Sequence, residues 1–486
     1  MKKQSNFICK CFRYLLYILP AVLFFSYFPV ISLGGSEAMN FELSLPLIWL
    51  VVFFAVSVVM MIERGTLLNL FKKRFGWLWL TLPVWASLSV IWSANSLRGI
   101  LTAGILWLIF FAGYAVWNLR GVFDAGFKKT FLRWLFISTL VACLWCVVQC
   151  VLDLTGVSRE YSLICEGCTT QMFGFPHPNG FAIEPQFMGN LLLAPLFVAI
   201  WLLLKDKWDC GFSRARGMVL LILISMTLFL TFSRGAIYAF IVGLLFMTGF
   251  VLMRAKKKER GIIGKRIGVV WVATVLSFVV ALNIQGVMAA VGPTNDTYET
   301  GVAKVINHLS LGIIDIRGGA VENSVEKSEE NIVENLGENG GEVELDDTDE
   351  AVFNGYVAAS TDIRVEMNRF ALQTWSRDFG TVMFGVGLGG AGQAMCDNGL
   401  TGSPKEIVQN QFVSLLLETG VIGALLLALA GVLVVRMFIK NRESGLLLSL
   451  SVCYVVSLLF FAGLPNAIQI YLMPVLLWAV FDKANR

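Results

Sequence analysis

One arginine, Arg234, stands in the stretch Leu228-Phe229-Leu230-Thr231-Phe232-Ser233-Arg234-Gly235-Ala236, between an apolar run from Gly217 to Phe232 and another from Ala236 to Met253. Two such runs parted by a single cation read as two membrane helices joined by a tight turn, with Arg234 at its tip. A guanidinium stays protonated, and its planar fork of N–H donors grips phosphate or carboxylate oxygens in pairs, so the chemistry on offer is anion binding. At the centre of a bilayer the charge would cost about 2.5 to 3.5 kcal/mol, and at the rim less. Position alone fits equally well a snorkelling arginine that marks the interface. The side of the membrane on which the turn falls separates the two roles.

The elements that must place this residue are membrane helices. Hydrophobic residue types make up 57% of the 486 residues and charged types 15%, against roughly 25% charged in soluble domains. A formal charge of +4 gives no sign of a nucleic-acid partner. Apolar runs from Tyr14 to Leu33, Ser44 to Ile62, Gly76 to Ala94, Gly99 to Leu119, Trp134 to Leu154 and Gln186 to Leu204 precede the arginine hairpin, and Ile267 to Ala290 follows it. Phe412 to Ile439, Gly445 to Gly463 and Ala467 to Phe481 complete roughly twelve crossings. The first run is longer than a signal-peptide core and lacks a small-x-small cleavage site, so it reads as a retained helix.

Most of the 38 lysines and arginines fall in short loops on the side of the termini. The positive-inside rule therefore puts both termini in the cytoplasm. Arg234, the loop from Thr155 to Pro185 and the region 291–411 then face outside. The chain divides into nine helices over 1–290, an extracytoplasmic region over 291–411 and three helices over 412–486.

Within the outer region, Tyr298 to Ile316 has the pattern of an amphipathic helix. Residues 322–350 are rich in Glu, Asp, Asn and Gly, with too few apolar residues to bury a core, and read as a disordered insert. Asp346, Asp347 and Asp349 lie there, where solvation is their expected role. Ser360-Thr361-Asp362 reads as a cap for a helix reaching about Phe379, with Ile363, Met367, Phe370, Ala371 and Trp375 as an apolar stripe and Arg364, Asn368 and Arg369 beside it. Gly387, Gly389 and Gly392 satisfy a G-x-G-x-x-G spacing, but no strand–helix–strand context surrounds them. They read as a flexible loop close to the outer membrane face rather than a nucleotide site. Cys165 and Cys168 face the oxidising side, where a local disulfide is expected over half of a metal site. Cys143, Cys146 and Cys150 share one helix face and read as packing residues.

Four stretches together resemble the O-antigen ligase and polymerase superfamily of bacterial membrane glycosyltransferases. They are Leu88-Ser89-Val90-Ile91-Trp92-Ser93-Ala94-Asn95, Gly174-Phe175-Pro176-His177-Pro178-Asn179, Thr231-Phe232-Ser233-Arg234-Gly235-Ala236, and the outer segment from Thr361-Asp362-Ile363-Arg364 through Gly385-Val386-Gly387-Leu388-Gly389. The resemblance implies an all-α polytopic fold of the GT-C type in the bacterial cytoplasmic (inner) membrane, with a large extracytoplasmic loop between helices nine and ten. It further implies transfer of a glycan from an undecaprenyl-diphosphate-linked donor to an acceptor sugar hydroxyl at the outer face, without metal or cofactor, among partner proteins of surface-polysaccharide assembly. Arg234 and Arg364 match the two arginines that the family places at the diphosphate. A leaving diphosphate gains negative charge as the anomeric bond breaks, so fixed cations are the main catalytic need.

Ligases of this family carry a His followed by Asn, Ser or Gln, nine residues, and Gly-x-x-Gly. This chain has Gln409-Asn410, nine residues, and Gly420-Val421-Ile422-Gly423. Glutamine cannot take a proton at neutral pH, so the departure favours a polymerase over a ligase, with Gln409 and Asn410 as acceptor-binding candidates. Other candidates for a base or substrate contact are few. His177 and Asn179 lie in the outer motif, where a turn-forming role competes. Glu184, an acidic group at the lipid boundary beside Pro185, needs a cation, for which Arg234 or Arg364 is a candidate. Glu418, further into the tenth helix, has helix packing as its competing role, and His308 reads as a surface residue. A transporter or flippase of lipid-linked glycans would also have about twelve helices, but no matching interrupted helices appear in the two halves. A non-enzymatic envelope scaffold is the other class kept open.

Overall fold

The computed structural model describes residues 2–26, 31–33, 41–72, 76–155, 177–182, 184–206, 208, 211–291, 297–311, 313–314, 363–441, 443–462, 464 and 467–481. The acidic insert 322–350, the pair Cys165 and Cys168, the cap Ser360-Thr361-Asp362 and most of the loop from Thr155 to Pro185 lie outside the described residues. The membrane helices in chain order are α1 (Lys2–Phe24), α2 (Leu45–Glu63), α3 (Thr81–Ser89), α4 (Ser96–Asn118), α5 (Ala125–Leu154), α6 (Pro185–Lys205), α7 (Arg214–Leu230), α8 (Arg234–Arg254) and α9 (Arg260–Val291). Helix α10 (Tyr298–Leu309) follows, then α11 over 363–375, α12 (Phe379–Phe384) and α13 (Ala391–Asp397). The chain re-enters the bundle as α14 (Gln411–Ile439), α15 (Ser444–Ser457) and α16 (Ile468–Val480).

Eight of these helices are long and apolar enough to cross a membrane by themselves, and Gly76–Trp92, Ser444–Ser457 and Ile468–Val480 are shorter apolar helices. The protein is therefore a polytopic membrane protein, although several of the roughly twelve expected crossings are short or broken. The run starting at Gly76 divides into two 3-10 turns around α3. Helix α14 has a non-helical residue inside it, Gly420 (φ 66°, ψ −172°). There a Cβ would come within 2.3 Å of the Met383 carbonyl oxygen, so only glycine suits both the positive φ and the close approach. Two short strands, β1 (Ile31–Leu33) and β2 (Phe41–Leu43), pair antiparallel with Ser32 opposite Glu42, an addition that the helical reading lacked.

Helix α6 is the axis of the bundle. Its whole apolar span is buried, against α7, α8 and α15 among others. With no hydrophobic drive between helices in lipid, close packing decides which faces meet, and small residues make it feasible. A Cβ at Gly243 of α8 would lie 2.5 Å from the Phe197 ring and 2.9 Å from Cys453 Cβ. A Cβ at Gly189 would lie 2.9 Å from Ala236 Cβ and 3.0 Å from Ser233 Cβ, so the start of α8 is pressed onto the start of α6. Cys143, Cys146 and Cys150 are buried in the core.

At the opposite end of these helices Trp201 Nε1 donates to Glu443 (2.9 Å), Arg254 to Ser444 Oγ (2.9 Å), and Arg266 to both the Leu204 carbonyl (3.0 Å) and Asp206 (2.8 Å). The end carrying Arg234 is closed differently. Gln186 donates to the Phe460 carbonyl (2.7 Å), and a Cβ at Gly235 would lie 2.7 Å from Phe460 Cβ. Gln411 N–H donates to the Leu458 carbonyl (3.0 Å). These ties gather the starts of α6, α8 and α14 and the end of α15 at one face.

Candidate active site

Arg234 is the first residue of α8. Its turn is built by three neighbours: Thr231 ends α7, Phe232 takes a left-handed conformation (φ 47°), and Ser233 caps α8 by accepting from the Ala236 N–H (3.4 Å). A bulky residue at positive φ costs on the order of 1 to 3 kcal/mol, so surrounding contacts must hold it. The Phe232 ring lies between two imidazoles, His177 at 5.7 Å and His308 at 6.1 Å between centroids. The turn directs Arg234 inward, where it is only 6% exposed, beside the positive end of its own helix.

Arg364, at the start of α11, is half-buried. Its charge acts on Glu184 and, together with that of Arg234, on His308, so both guanidiniums lie within electrostatic range of one imidazole. Glu184 occupies the N-cap position of α6 in extended conformation (φ −138°, ψ 156°) without a side-chain bond to the helix. The residue as a whole is exposed to solvent, yet protein crowds its carboxyl. Burial raises its pKa and the Arg364 charge pulls it back. Of the two arginines expected near Glu184, Arg364 is the one whose charge acts on its carboxyl.

His308 is the main correction to the sequence reading. Expected at the surface, it is 6% exposed and lies on the inward face of α10 with Gly301, Ala303, Lys304 and Val305. Close approach of α10 to α9 explains this: a Cβ at Gly301 would come 2.4 Å from Ala289 Cβ, and one at Gly286 2.6 Å from the Tyr298 ring. His308 Nε2 stands 3.2 Å from the Phe232 carbonyl oxygen, and since a carbonyl only accepts, Nε2 carries the proton. Burial first, and the Arg234 charge second, hold this imidazole at about 4. His177, 7% exposed, is held at about 3, by burial first and by His308 second. Both are neutral at pH 7. Lys304, one turn before His308, is also buried, at 2% exposure.

The other expected residues are distributed unevenly. Asn179 is built into a turn, its amide donating to the Ala182 carbonyl (3.0 Å) and its oxygen accepting from Gln149 (2.9 Å). Asn410 caps α14 by accepting from the Phe412 (3.0 Å) and Val413 (3.3 Å) N–H groups, while Gln409 is exposed. Their neighbour Gln411, which the sequence did not single out, is buried and accepts from the Leu464 N–H (2.8 Å) and the Tyr471 hydroxyl (3.4 Å). Glu418 belongs to a different cluster, facing the N–H groups of Gly389 and Ala391 and the Arg98 guanidinium.

The glycine segment is likewise not the flexible loop expected. Gly387 N–H donates to the Glu418 carbonyl, and Val386 N–H to that of Leu417 (both 2.9 Å). A Cβ at Gly387 would lie 2.3 Å from Ser93 Cα, and one at Gly389 2.7 Å from Gly99 N. The glycines let this segment pack closely on the end of α3 and the α3–α4 connection, with Ser89 and Ser93 against it. Tyr238, also missed, donates its hydroxyl to the Leu309 carbonyl. A signal for His308 existed: Gly301, Lys304, Val305 and His308 recur at helical spacing on one face. Among the described residues no three His, Cys, Asp or Glu side chains converge as a metal site requires.

Comparison with known families matches residues 218–428 to the O-antigen ligase family. That region holds Arg234, His308, Arg364, the glycine segment and Glu418, while His177, Asn179 and Glu184 precede it. No curated protein matches the chain.

Proposed function

Taking residues 218–428 as a domain of the O-antigen ligase family, we propose that this membrane protein is a glycan polymerase. It transfers a glycan from an undecaprenyl-diphosphate-linked donor to an acceptor sugar hydroxyl at the outer face of the cytoplasmic membrane, with both termini in the cytoplasm. What supports this reading is that the charges of Arg234, from a helix start in the bundle, and Arg364, from helix α11, both act on the buried His308. Charge develops on the diphosphate as the anomeric carbon–oxygen bond breaks. Two guanidiniums and the positive end of α8, fixed before the reaction, stabilise that charge most when it is greatest.

The acceptor hydroxyl must lose its proton as the new bond forms. Glu184, whose carboxyl pKa is raised by burial and pulled back by the Arg364 charge, suits a group that takes up a proton. It is our candidate for the base or for orienting the acceptor. Arg364 would then link donor and acceptor halves of the site. His177 contributes to the wall behind Phe232 rather than to proton transfer, since an imidazole held at about 3 is a weak base.

A ligase is the second reading, because the family description names that activity. An exposed Gln409 where ligases of the resembling family carry histidine favours chain growth. Purified protein in nanodiscs, given a lipid-linked repeat unit, should release undecaprenyl diphosphate and build a ladder of lengthening lipid-linked chains. Transfer to a non-repeat acceptor without chain growth would make it a ligase, and passage of intact donor across a vesicle bilayer without diphosphate release would make it a flippase.

A further inference from the structure

The chain on both sides of Arg234 is tied to one place, the last turn of α10. Two residues before Arg234, the Phe232 carbonyl accepts from His308 Nε2 at 3.2 Å. Four residues after it, the Tyr238 hydroxyl donates to the Leu309 carbonyl. Phe232 is left-handed and is not glycine, so its conformation needs outside support. The His308 bond supplies that support to the carbonyl, and the two imidazoles pack its ring. His308 is placed to do so because α10 lies tightly on α9 through Gly286, Ala289 and Gly301.

We infer that His308 is a positioning residue: its Nε2–H holds the Phe232 turn and thereby aims the Arg234 guanidinium into the site. Because burial keeps the ring neutral, the bond persists at neutral pH without placing a third full charge beside Arg234 and Arg364. The assignment to catalysis rests on the proposed diphosphate site, whereas the mechanical role does not, so the test separates them.

A glutamine amide nitrogen can stand where Nε2 stands, while an asparagine amide reaches only as far as Nδ1. His308→Gln, His308→Asn and His308→Ala are compared in nanodiscs by hydrogen exchange over residues 229–237 and by donor and acceptor KM and kcat with a lipid-linked repeat. The expected result is faster exchange in the Asn and Ala variants and near wild-type exchange in Gln. Donor kcat/KM should fall about tenfold in Asn and Ala, the scale of one lost buried hydrogen bond, with acceptor KM little changed and with Gln within about threefold of wild type. Unchanged exchange in His308→Asn and His308→Ala would overturn the inference. So would a Gln variant as impaired as Ala while its turn stays protected, because that marks an acid or base rather than a hydrogen-bond donor. A wild-type protein that releases no lipid diphosphate, with the exchange pattern as expected, would leave the turn assignment standing and remove the diphosphate reading instead.

Discussion

Ser93 donates its hydroxyl to the carbonyl of Leu388 at 2.8 Å, across 295 residues of chain. The Leu388 N–H returns to Ser89 Oγ at 3.1 Å. Through this pair of bonds the end of α3 and the α3–α4 connection grip the glycine segment that follows α11 and α12, and so fix where that segment meets the bundle. Gly387→Ala should disrupt that grip. Its φ of +88° strains any L side chain, by roughly 1 to 2 kcal/mol, and the added Cβ would press on Ser93 backbone. Folded yield in detergent and glycan transfer should both fall. Gly402→Ala, with nothing within 4 Å of its Cβ, is the comparison, and equal behaviour of the two would remove the structural importance of the segment.

The arginine pair yields a kinetic prediction. Arg234→Lys and Arg364→Lys keep the charge but lose the planar fork, so the initial rate of lipid diphosphate release should drop on the order of tenfold to a hundredfold with insertion intact. The double variant should cost little more than the worse single change, as groups acting as one unit do. Exposed Arg377, bonded to Asn398 at 2.8 Å, is the control and should tolerate lysine. Rates near wild type for both site variants would reduce Arg234 to an interfacial anchor.

Stability should depend on pH through the histidines. His308 and His177 titrate near 4 and 3 when folded, below the ordinary 6.5, so below about pH 6.5 the unfolded chain takes up protons that the folded protein refuses. Their contribution to stability is fully present above pH 6.5 and shrinks as the pH falls, by on the order of 1.4 kcal/mol per pH unit for each histidine. Glu184, its carboxyl pKa raised in the fold, acts in the opposite sense. The informative quantity is therefore the difference between wild type and His308→Gln. Between pH 6.5 and 5 the variant's melting temperature in nanodiscs should decline less steeply. Parallel curves would mean that His308 is not held neutral by the fold.

The acidic stretch 322–350, outside the described residues, has a composition that cannot bury a core. Its deletion should leave membrane insertion and transfer nearly intact when both are measured in the same membranes. A stably inserted deletion that loses transfer would place the stretch at the site.

Much about this protein was determined by the sequence alone. Partition into a membrane is a sum of local residue contributions, so the apolar runs on either side of Arg234 were legible, and with them the polytopic class and the position of Arg234 at a helix edge. The tertiary structure decided which edges meet. Nothing near His308 in the chain announces that it will contact Phe232, 76 residues earlier, because that contact depends on α10 settling into the small-residue surface of α9. The glycines after α12 fit a mobile loop as well as a tight joint until Ser89, Ser93 and the start of α14 surround them. Glu184 and Glu418 were equal candidates as residue types, and only packing put one beside Arg364 and the other beside Arg98. Such pairings depend on shape complementarity between helices far apart in sequence, a property of the folded surfaces that no local run of residues carries.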